Sequence, residues 1–405
     1  MTSIEARTRI NVDEADELIA RSMPAFAATR APLAGAAGLI LKEEVVAERD
    51  QPPFNRATMD GIAIAGAAVN EDRRSFRTSG IQAAGAPQLR LEASDTCLEV
   101  MTGAVMPVGA DTVIPIERVT EQDDTFALEH DYAFSPGQFV HLRGSDHRRG
   151  DVLLTPGTRI GSPEMAILTA AGKADVAVSL WPTVAIVSTG DELVDVGEPI
   201  KDHQIRSSND RAIETALKLR GCSETLRSRL PDEPEELKEA IRKLHDNSDV
   251  LILSGGVSMG KYDYVPRIMD ELGVTLVFHK IMQRPGLPMW FGVSEKNVPV
   301  FALPGNPVST LVCLTRYVIP ALQRSLGENT VPRFVPLAED VQFEPDLCWF
   351  LPVRMQYTET GAVAVPRPTN TSGDFIGLRG TDGFIELARG ESRFPAGSFH
   401  RFWAW

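Results

Sequence analysis

The residue types best suited to binding an anion lie in one segment, residues 249–263, which read DVLILSGGVSMGKYD. Its apolar run, residues 250–253, is short and uninterrupted, which predicts a strand buried on both faces of a parallel sheet. Glycines directly after such a strand let backbone amides approach a ligand, and serines add hydroxyl donors. The donors expected in this anion-binding loop are Ser254, Gly255, Gly256, Ser258 and Gly260.

The loop ends on a carboxylate, Asp263. A carboxylate beside a phosphate repels it unless a cation or a donor lies between them, and Mg²⁺ prefers one or two carboxylates together with phosphate oxygens and water. A tight strand-to-helix turn, with Asp263 as a helix cap, is the alternative that the loop alone leaves open.

Two further apolar runs end in loops of the same kind. Residues 184–187 lead into STGDEL, and residues 300–303 lead into PGNPVS. The carboxyl ends of parallel strands meet at one edge of a sheet, so the three loops are expected to converge on one crevice. The two added loops contribute Thr189, Gly190, Glu192, Pro304, Gly305, Asn306 and Ser309.

The surrounding pattern predicts the elements that position these loops. Strands over 184–187, 250–253, 274–278 and 300–302 alternate with helices over 212–219, around 237–244 and after Pro307, which predicts a parallel sheet with helices on both faces. Asn209 or Asp210 is expected to cap the helix over 212–219. Earlier helices are predicted over 12–23, capped by Asn11, and over 164–171, ended by Gly172.

These patterns predict an α/β multidomain protein with four domains. Short β-like runs at 98–101, 112–116 and 139–142 predict a mostly β domain over 42–151. The two earlier helices predict a small helical connector over 1–41 and 152–178. The α/β domain is expected over 179–328, and the aromatic, proline-rich remainder, 329–405, is expected to form a C-terminal β-barrel.

Length and composition indicate a multidomain protein without a general nucleic-acid or membrane surface. A chain of 405 residues is longer than one hydrophobic core usually organises. Its net charge of -14 argues against nucleic-acid or membrane partners. The four cysteines form no Cys-x-x-Cys pair, and the seven histidines show no metal-ligand spacing. Neither a signal peptide nor a membrane-spanning run is evident. We therefore expect a cytoplasmic protein with reduced thiols.

Seven segments, in order along nearly the whole chain, resemble the molybdopterin molybdotransferase family, the MoeA and gephyrin type of molybdenum insertase. Related pterin adenylyltransferases look similar around Thr189, but they tend to follow the paired glycines with Thr-Gly, where this chain has Val257 and Ser258. The matching segments are 53–61 (PFNRATMDG), 101–104 (MTGA) with 109–111 (GAD), 143–146 (RGSD) with Gly150, 188–193 (STGDEL), 254–263 (SGGVSMGKYD), 284–288 (RPGLP) and 304–309 (PGNPVS).

The resemblance implies that the α/β domain is a molybdopterin-binding domain. It would bind adenylylated molybdopterin, with molybdate beside it, and Mg²⁺-assisted cleavage would release AMP as molybdenum reaches the dithiolene sulfurs. For Mg²⁺, Asp263 is the first ligand expected, followed by Asp232 and Glu192. Transfer to a recipient molybdoenzyme, or contact with the adenylyltransferase, would be the protein–protein step.

The resemblance also assigns roles to Asp60, Thr102 and Asp146 in the β domain. The family is a homodimer whose site forms between the α/β domain of one subunit and the β domain of the other, so Asp60 and Asp146 would act in trans. The alternative is that the carboxylates only cap turns, since Asp60-Gly61 is itself a turn signature.

Positive charge for the oxyanion is expected from Arg284, where many relatives have lysine. In the tail, Arg354 and Ser372 fall near oxyanion contacts of the family, and Arg379 matches a recurrent arginine. Gly373 and Asp374 depart from the usual Ser and Arg, and an acid there would hinder an anion. Three alternatives stay open: Arg284 pairs only with an acid, the substrate is tungstate, or the chain is a pterin-binding scaffold without turnover.

Overall fold

The computed structural model describes residues 7–231, 233–256, 264–359 and 361–405. The chain divides into two structural units. The first comprises residues up to 43 together with 156–162 and 175–405, and the second comprises 44–155 and 163–174. No helix in the described ranges is long and apolar enough to cross a membrane.

The secondary structure combines short helices with many short strands. The α-helices of the described residues are α1 Val12–Ser22, α2 Ser162–Ala170, α3 Asn209–Lys218, α4 Pro234–Asp246, α5 Val265–Glu271, α6 Pro307–Cys313 and α7 Ile319–Ser325, with a π-helical turn, Leu314–Val318, between the last two. The strands of the first half are β1 Arg7–Ile10, β2 Ala28–Pro32, β3 Ile40–Leu41, β4 Val45–Val46, β5 Arg56–Ala57, β6 Gly61–Ile64, β7 Ser75–Gln82, β8 Thr96–Val100, β9 Thr112–Pro115, β10 Val119–Gln122, β11 Thr125–Leu128, β12 Val140–His141, β13 Val152–Leu154, β14 Asp175–Ser179, β15 Val184–Thr189, β16 Leu193–Val194 and β17 Ile205–Arg206. The remaining strands are β18 Thr225–Leu230, β19 Val250–Ser254, β20 Val274–Ile281, β21 Gln283–Arg284, β22 Trp290–Ser294, β23 Pro299–Leu303, β24 Arg333–Pro336, β25 Val341–Gln342, β26 Cys348–Thr358, β27 Gly361–Pro366, β28 Gly383–Leu387, β29 Arg393–Phe394 and β30 Phe399–Ala404.

A seven-stranded sheet forms the centre of the first unit, in the order β1-β20-β22-β23-β19-β15-β18. The strands β18, β15, β19 and β23 pair in parallel, as the alternation of helices and strands predicts. The prediction of a wholly parallel sheet is wrong at β22, which pairs antiparallel with both β20 and β23. The segments on either side of β22 are too short for a crossover helix, so the chain reverses there.

The central strands bury both faces, as their uninterrupted apolar sequences predict. Every residue of β15 and β19 is buried. On one face, Ile186 and Ile252 pack with α1, α3 and α6. On the other face, Val187 and Leu251 pack with α4 and α5. Since successive strand residues point to opposite faces, this alternation places helices on both sides of the sheet.

Helix α1 begins as predicted, because the Asn11 side chain accepts a hydrogen bond from the amide of Glu14 at 2.7 Å. The predicted start of α3 is wrong. Asn209 is its first residue and Ser208 is its N-cap, so neither Asn209 nor Asp210 is the cap. Asp210 is buried instead, and its carboxylate pairs with Arg227 at 2.6 Å.

Strands occupy part of the segments expected to form the helical connector. Within the first unit, β14 pairs antiparallel with β2 and with β3. Helix α1 packs against the central sheet of the same unit, whereas α2 lies almost wholly within the second unit. The second unit contains a six-stranded sheet in the order β10-β11-β7-β8-β6-β9, which agrees with the β-like runs of its sequence.

The C-terminal region forms a six-stranded sheet in the order β21-β26-β28-β30-β24, with β27 paired to β26. Strand β21 comes from the α/β region and pairs in parallel with β26, so that Arg284 lies opposite Trp349. An isolated bridge joins Leu337, directly after β24, to Ala364 of β27. The C-terminal sheet therefore adjoins the segment that carries Arg284.

Candidate functional site

A cavity of about 1000 Å³, called the large cavity below, lies at the carboxyl ends of β15, β19 and β23 in the first unit. This is where the three polar loops are expected to converge, and residues of all three line it. The predicted site residues among its lining are Thr189, Gly190, Glu192, Ser254, Gly255, Gly256, Pro304, Gly305 and Asn306.

Backbone geometry brings these loops close together. Gly255 has a positive φ of 100°, and a Cβ on it would lie 2.8 Å from the carbonyl oxygen of Thr189. The side chain of Asn209 braces the other two loops, since its Nδ2 donates to the Ser254 hydroxyl and to the Gly305 carbonyl, each at 2.8 Å. Glycine is therefore required at position 255 for the loops after β15 and β19 to touch.

The donors of the large cavity differ in whether they are already bonded. The Gly255 amide donates to the Leu303 carbonyl at 3.2 Å, so this donor is engaged within the sheet. The amides of Gly256 and Gly305 have no hydrogen-bond partner among the described residues. The hydroxyls of Ser188 and Thr189 are buried and likewise unpartnered there. Buried polar groups without partners are unusual in proteins and suit a polar ligand.

Several lining residues are absent from the sequence prediction. Arg206 and Gln204, on the segment that ends in β17, line the large cavity together with Ser207, Ser208 and Asn209. The signal in the sequence is the polar run at 207–210, whose pattern alone predicts no more than a helix cap at Asn209 or Asp210. Arg206 adds a positively charged residue to a lining that also contains Glu192, and its guanidinium donates to the carbonyl of Asp195.

A second cavity of about 480 Å³, called the small cavity below, adjoins the first and shares Pro288, Pro304 and Asn306 with it. Among its described lining residues, Arg284 alone is charged, and Ser309 and Ser372 are polar members that were predicted. The guanidinium of Arg284 lies 6.0 Å from the centre of the Phe343 ring, which stacks on Trp349. Within the described chain no carboxylate pairs with Arg284, which counts against the ion-pair alternative.

The acid expected to hinder an anion in the tail is occupied elsewhere. Asp374 caps the short helical turn Phe375–Leu378, and its oxygens accept from the Gly377 amide at 3.1 Å and from Asn370 Nδ2 at 3.0 Å. It lines neither cavity, whereas Gly373 lines the large one. Asp374 is therefore a local cap whose oxygens are engaged by hydrogen bonds. Its neighbour Ser372 accepts a hydrogen bond from Asn306 at 2.8 Å.

Two arginines predicted near the oxyanion lie away from the cavities. Arg354 is an exposed residue of β26, and Arg379 is exposed at the end of the Phe375–Leu378 turn. Neither is among the lining residues of the large or the small cavity. The contact of Arg354 with an oxyanion stays a prediction, as does the match of Arg379 to a recurrent arginine of the family.

Of the three predicted metal ligands, the structure describes Glu192. Asp232 and Asp263 lie outside the described residues, as does the predicted donor Ser258. Within the described part of the chain, no three His, Cys, Asp or Glu side chains come together as a metal site. Glu192 is exposed and lines the large cavity. One carboxylate beside unpartnered donors for a phosphate is compatible with Mg²⁺, which needs few protein ligands.

In the second unit, Asp60 and Thr102 lie side by side. Strands β6 and β8 pair so that Gly61 faces Val100, and this brings the residues just outside both strands together. Oδ1 of Asp60 accepts from the Thr102 amide at 2.6 Å and from its hydroxyl at 2.7 Å. The carboxylate thus bonds the turn after β8 and not the amides of its own turn.

Asp146 has a partner that sequence reasoning missed. Nε2 of His141 lies 2.8 Å from Oδ1 of Asp146, and the guanidinium of Arg56 lies 3.1 Å from Nδ1 of the same ring. An arginine cannot accept a hydrogen bond, so Nδ1 accepts and Nε2 donates to the carboxylate. His141 and Arg56 are cross-strand neighbours on β12 and β5. No spacing rule in the sequence indicates this pair.

Hydrogen bonds from the hydroxyl and then the amide of Thr102 lower the pKa of Asp60 below its ordinary value. We expect Thr102→Val to raise that pKa partway back, since the amide bond remains, and ¹³C-detected titration of the aspartate carboxyls measures it. A carboxyl whose pKa is lowered by folding stabilises the folded form above its ordinary pKa, and this contribution disappears as the pH falls through the lowered value.

The control for this titration is Thr120→Val, which changes an exposed threonine on β10 of the same unit. It should leave the titration of Asp60 as in the parent chain. An unchanged pKa of Asp60 in Thr102→Val would show that the hydroxyl bond has no electrostatic effect.

Comparison with known proteins covers nearly the whole chain. Residues 10–172 match the MoeA N-terminal region (domains I and II), residues 185–324 match a probable molybdopterin binding domain, and residues 335–399 match the MoeA C-terminal region (domain IV). A molybdopterin molybdenumtransferase of Synechocystis is 39% identical over 98% of this chain and 100% of its own length. One of Staphylococcus epidermidis is 30% identical over 98% of this chain and 96% of its own length.

Solved structures agree with these matches. Two crystal structures of a molybdopterin biosynthesis MoeA protein of Pyrococcus horikoshii align with TM-scores of 0.79 and 0.82, at 30% and 26% identity. Each alignment covers 98% of this chain, and it covers 99% and 100% of the respective relative. The similarity therefore extends over nearly the full length of these relatives.

Proposed function

Because this chain belongs to the molybdopterin molybdenumtransferase family, we propose that it inserts molybdenum from molybdate into adenylylated molybdopterin, with Mg²⁺-dependent release of AMP. Family membership confirms the resemblance in the sequence and makes the protein a transferase of molybdenum cofactor biosynthesis. The identity of the metal donor, the leaving group and the activating cation are the proposed parts.

The observation that carries this proposal is the pair of adjoining cavities. The large cavity offers unpartnered hydroxyls and amides beside Glu192, the one carboxylate among its described lining residues, which suits a ligand that contains phosphate. The described lining of the small cavity has one positive charge, Arg284, among neutral polar and aromatic residues. A small tetrahedral oxyanion placed there would adjoin a ligand in the large cavity, which the transfer of a metal between them requires.

The residues divide accordingly. Ser188, Thr189 and the amides of Gly256 and Gly305 would bind the pyrophosphate of the adenylylated pterin. Thr189, Gly190, Ser254, Ser258, Pro304 and Asn306 would shape the same site, and Ser309, Ser372 and Arg284 would hold the oxyanion. Hydrogen bonds to an anion from preorganised donors lower the free energy of developing charge on the leaving phosphate.

The candidate Mg²⁺ ligands are Asp263, Asp232 and Glu192. When bound, Mg²⁺ neutralises phosphate charge and lowers the barrier to cleavage. Glu192 is the described member of this set, and a Cβ on Gly190 would lie 2.6 Å from its Oε2, so glycine leaves room for this carboxylate at the cavity. We propose Asp60, Thr102 and Asp146 as residues that complete the site of the partner subunit in a homodimer, as the resemblance implies.

Two further features belong to the proposal. We propose that the C-terminal sheet closes into a β-barrel, which the bridge from Leu337 to Ala364 supports because it joins β24 to β27. We also propose that the protein acts in the cytoplasm on small-molecule substrates and passes its product to recipient molybdoenzymes. The division into four domains stays a prediction.

The test is AMP release. Incubation of the full chain with adenylylated molybdopterin, molybdate and Mg²⁺ should release AMP, measured by chromatography, and omission of any one component should abolish it. No AMP, with pterin binding retained, would contradict the enzyme and favour the scaffold alternative. Tungstate in a parallel reaction decides which oxyanion is preferred.

Replacing Glu192 tests the metal assignment. Glu192→Gln keeps the shape but removes a charged oxygen ligand, so we expect half-maximal AMP release to require several-fold more Mg²⁺. Glu198→Gln is the matched control, because Glu198 is exposed and faces Arg229 away from the lining of both cavities. An unchanged Mg²⁺ requirement in Glu192→Gln would remove this residue from the ligand set.

A further inference from the structure

The π-helical turn Leu314–Val318 lies between α6 and α7, and all five of its residues are buried. π-helical turns are rare and occur often at functional sites. Arg316 and Tyr317 are consecutive residues of this turn, and each is 1% exposed. The side chain of Tyr317 contacts Gln283, directly before the loop at residues 284–288, and that of Arg316 contacts the C-terminal sheet. Both segments contribute to the lining of the small cavity.

Tyr317 acts on the first of these segments, called the Arg284 loop here (residues 284–288). Its hydroxyl donates to Oε1 of Gln283, which orients the buried amide of that side chain. Nε2 of Gln283 then donates to the carbonyl of Pro285 at 3.2 Å. The tyrosine hydroxyl therefore fixes the Pro285–Gly286 peptide of the Arg284 loop through one intermediate side chain.

Cys313 supports the same loop from below. Its thiol donates to the Gly286 carbonyl at 3.7 Å and accepts from Gln283 Nε2 at 3.5 Å. Burial raises the pKa of this thiol to about 12, so the sulfur keeps the proton that it donates. A Cβ on Gly286 would lie 2.5 Å from the Cys313 sulfur, which shows how closely the loop packs on it.

Arg316 acts on the second segment. Its guanidinium pairs with Glu386 of β28 at 2.9 Å, and Glu386 lies directly opposite Phe350 of β26 in the sheet. Phe350 lines the small cavity and meets the Tyr317 ring edge-on, with 6.5 Å between ring centres. Two adjacent residues of one turn thus support two segments of the cavity lining, the Arg284 loop and the C-terminal sheet.

We propose that Tyr317 and Cys313 are positioning residues for the oxyanion, which hold the Arg284 loop in the shape that presents Arg284 to the small cavity. Neither residue lines either cavity, so both act through Gln283 and the loop carbonyls. The inference rests on the proposed function, because it assigns the oxyanion to the small cavity. It predicts that oxyanion affinity depends on a hydroxyl that never touches the oxyanion.

The experiment measures two affinities of the full chain by equilibrium dialysis, one for molybdate and one for adenylylated molybdopterin. Tyr317→Phe removes the hydroxyl and leaves the Gln283 oxygen unbonded, so we expect molybdate affinity to fall about 10-fold, as for other residues that orient a ligating group. Pterin affinity should stay at the wild-type value. Saturating molybdate should restore the wild-type rate of AMP release.

The control is Tyr357→Phe on β26, where the tyrosine is 82% exposed. Loss of its hydroxyl should change neither the molybdate affinity nor the pterin affinity. A general structural defect would weaken both ligands together, so loss of molybdate affinity alone separates positioning from instability. If Tyr317→Phe does not fold, Cys313→Ala decides, with Cys313→Ser expected to restore affinity because serine keeps a donor for Gly286.

Two outcomes separate the positioning role of Tyr317 from the proposed function. A folded Tyr317→Phe that binds molybdate as the wild type does overturns the positioning role and leaves the proposed function standing. A wild-type chain that binds neither molybdate nor tungstate contradicts the proposed function, and the positioning role falls with it.

Discussion

Arg284→Leu is expected to lower kcat/KM for molybdate by about 10- to 100-fold. A hydrogen bond to a charged group contributes roughly 1.5–3 kcal/mol, and about 1.4 kcal/mol corresponds to a factor of ten. Arg284 alone is charged among the described residues that line the small cavity, so no neighbouring cation replaces it there. The measurement is the rate of AMP release over a range of molybdate concentrations.

The choice of replacements makes this result specific. Arg284→Lys should retain much of the activity, because it keeps the charge while losing the planar fork. Arg333→Leu is the matched control, since Arg333 is an exposed residue of the C-terminal sheet that lines neither cavity. The KM for the adenylylated pterin should stay the same in all three variants. An Arg284→Leu enzyme with wild-type dependence on molybdate would exclude this residue from oxyanion binding.

Arg316→Leu is expected to lower the free energy of unfolding by about 3–5 kcal/mol, the cost of breaking a buried ion pair from one side. The guanidinium is 1% exposed and pairs with Asp16 of α1 at 2.8 Å and with Glu386 of β28 at 2.9 Å. Burial by itself lowers the pKa of Arg316, but Glu386 and Asp16 raise it well above its ordinary value, so it stays charged. Without it, both carboxylates are left uncompensated.

Urea unfolding followed by tryptophan fluorescence measures this change, and Trp403 reports on the cluster because its Nε1 donates to Glu386 at 2.9 Å. Adding Glu386→Gln to Arg316→Leu should recover part of the stability, because it removes one unpaired charge and keeps an acceptor for Trp403. Arg324→Leu, at an exposed position of α7, should change the free energy of unfolding by less than about 0.5 kcal/mol. Equal stabilities of Arg316→Leu and Arg324→Leu would refute the prediction.

Local pattern was enough to predict the elements that carry the large cavity. Residues 184–187 and 250–253 are uninterrupted apolar runs, and both form strands buried on both faces. Parallel strands end at one edge, so the loops after them had to converge, and the motifs within them identify the family. This much follows from sequence because it depends on periodicity and on loops adjacent to strands.

The start of α3 was predicted wrongly and β22 was not predicted, for a related reason. Capping preferences favour Asp210 as an N-cap. In the structure Asp210 is instead a buried residue of the first turn of α3, where it pairs with Arg227 of β18. The direction of β22 depends on the lengths of its flanking segments and on its neighbours β20 and β23. Both depend on contacts between segments that local pattern does not report.

The α/β core, the three polar loops and the family can thus be predicted from the sequence, because they depend on short-range periodicity and on contiguous motifs. Three features require the folded chain: Arg284 lies in a separate small cavity beside the C-terminal sheet, Asp374 is a cap, and Tyr317 supports the Arg284 loop. Each of these depends on side chains that are distant in sequence and meet only when strand pairing and helix packing bring their segments together.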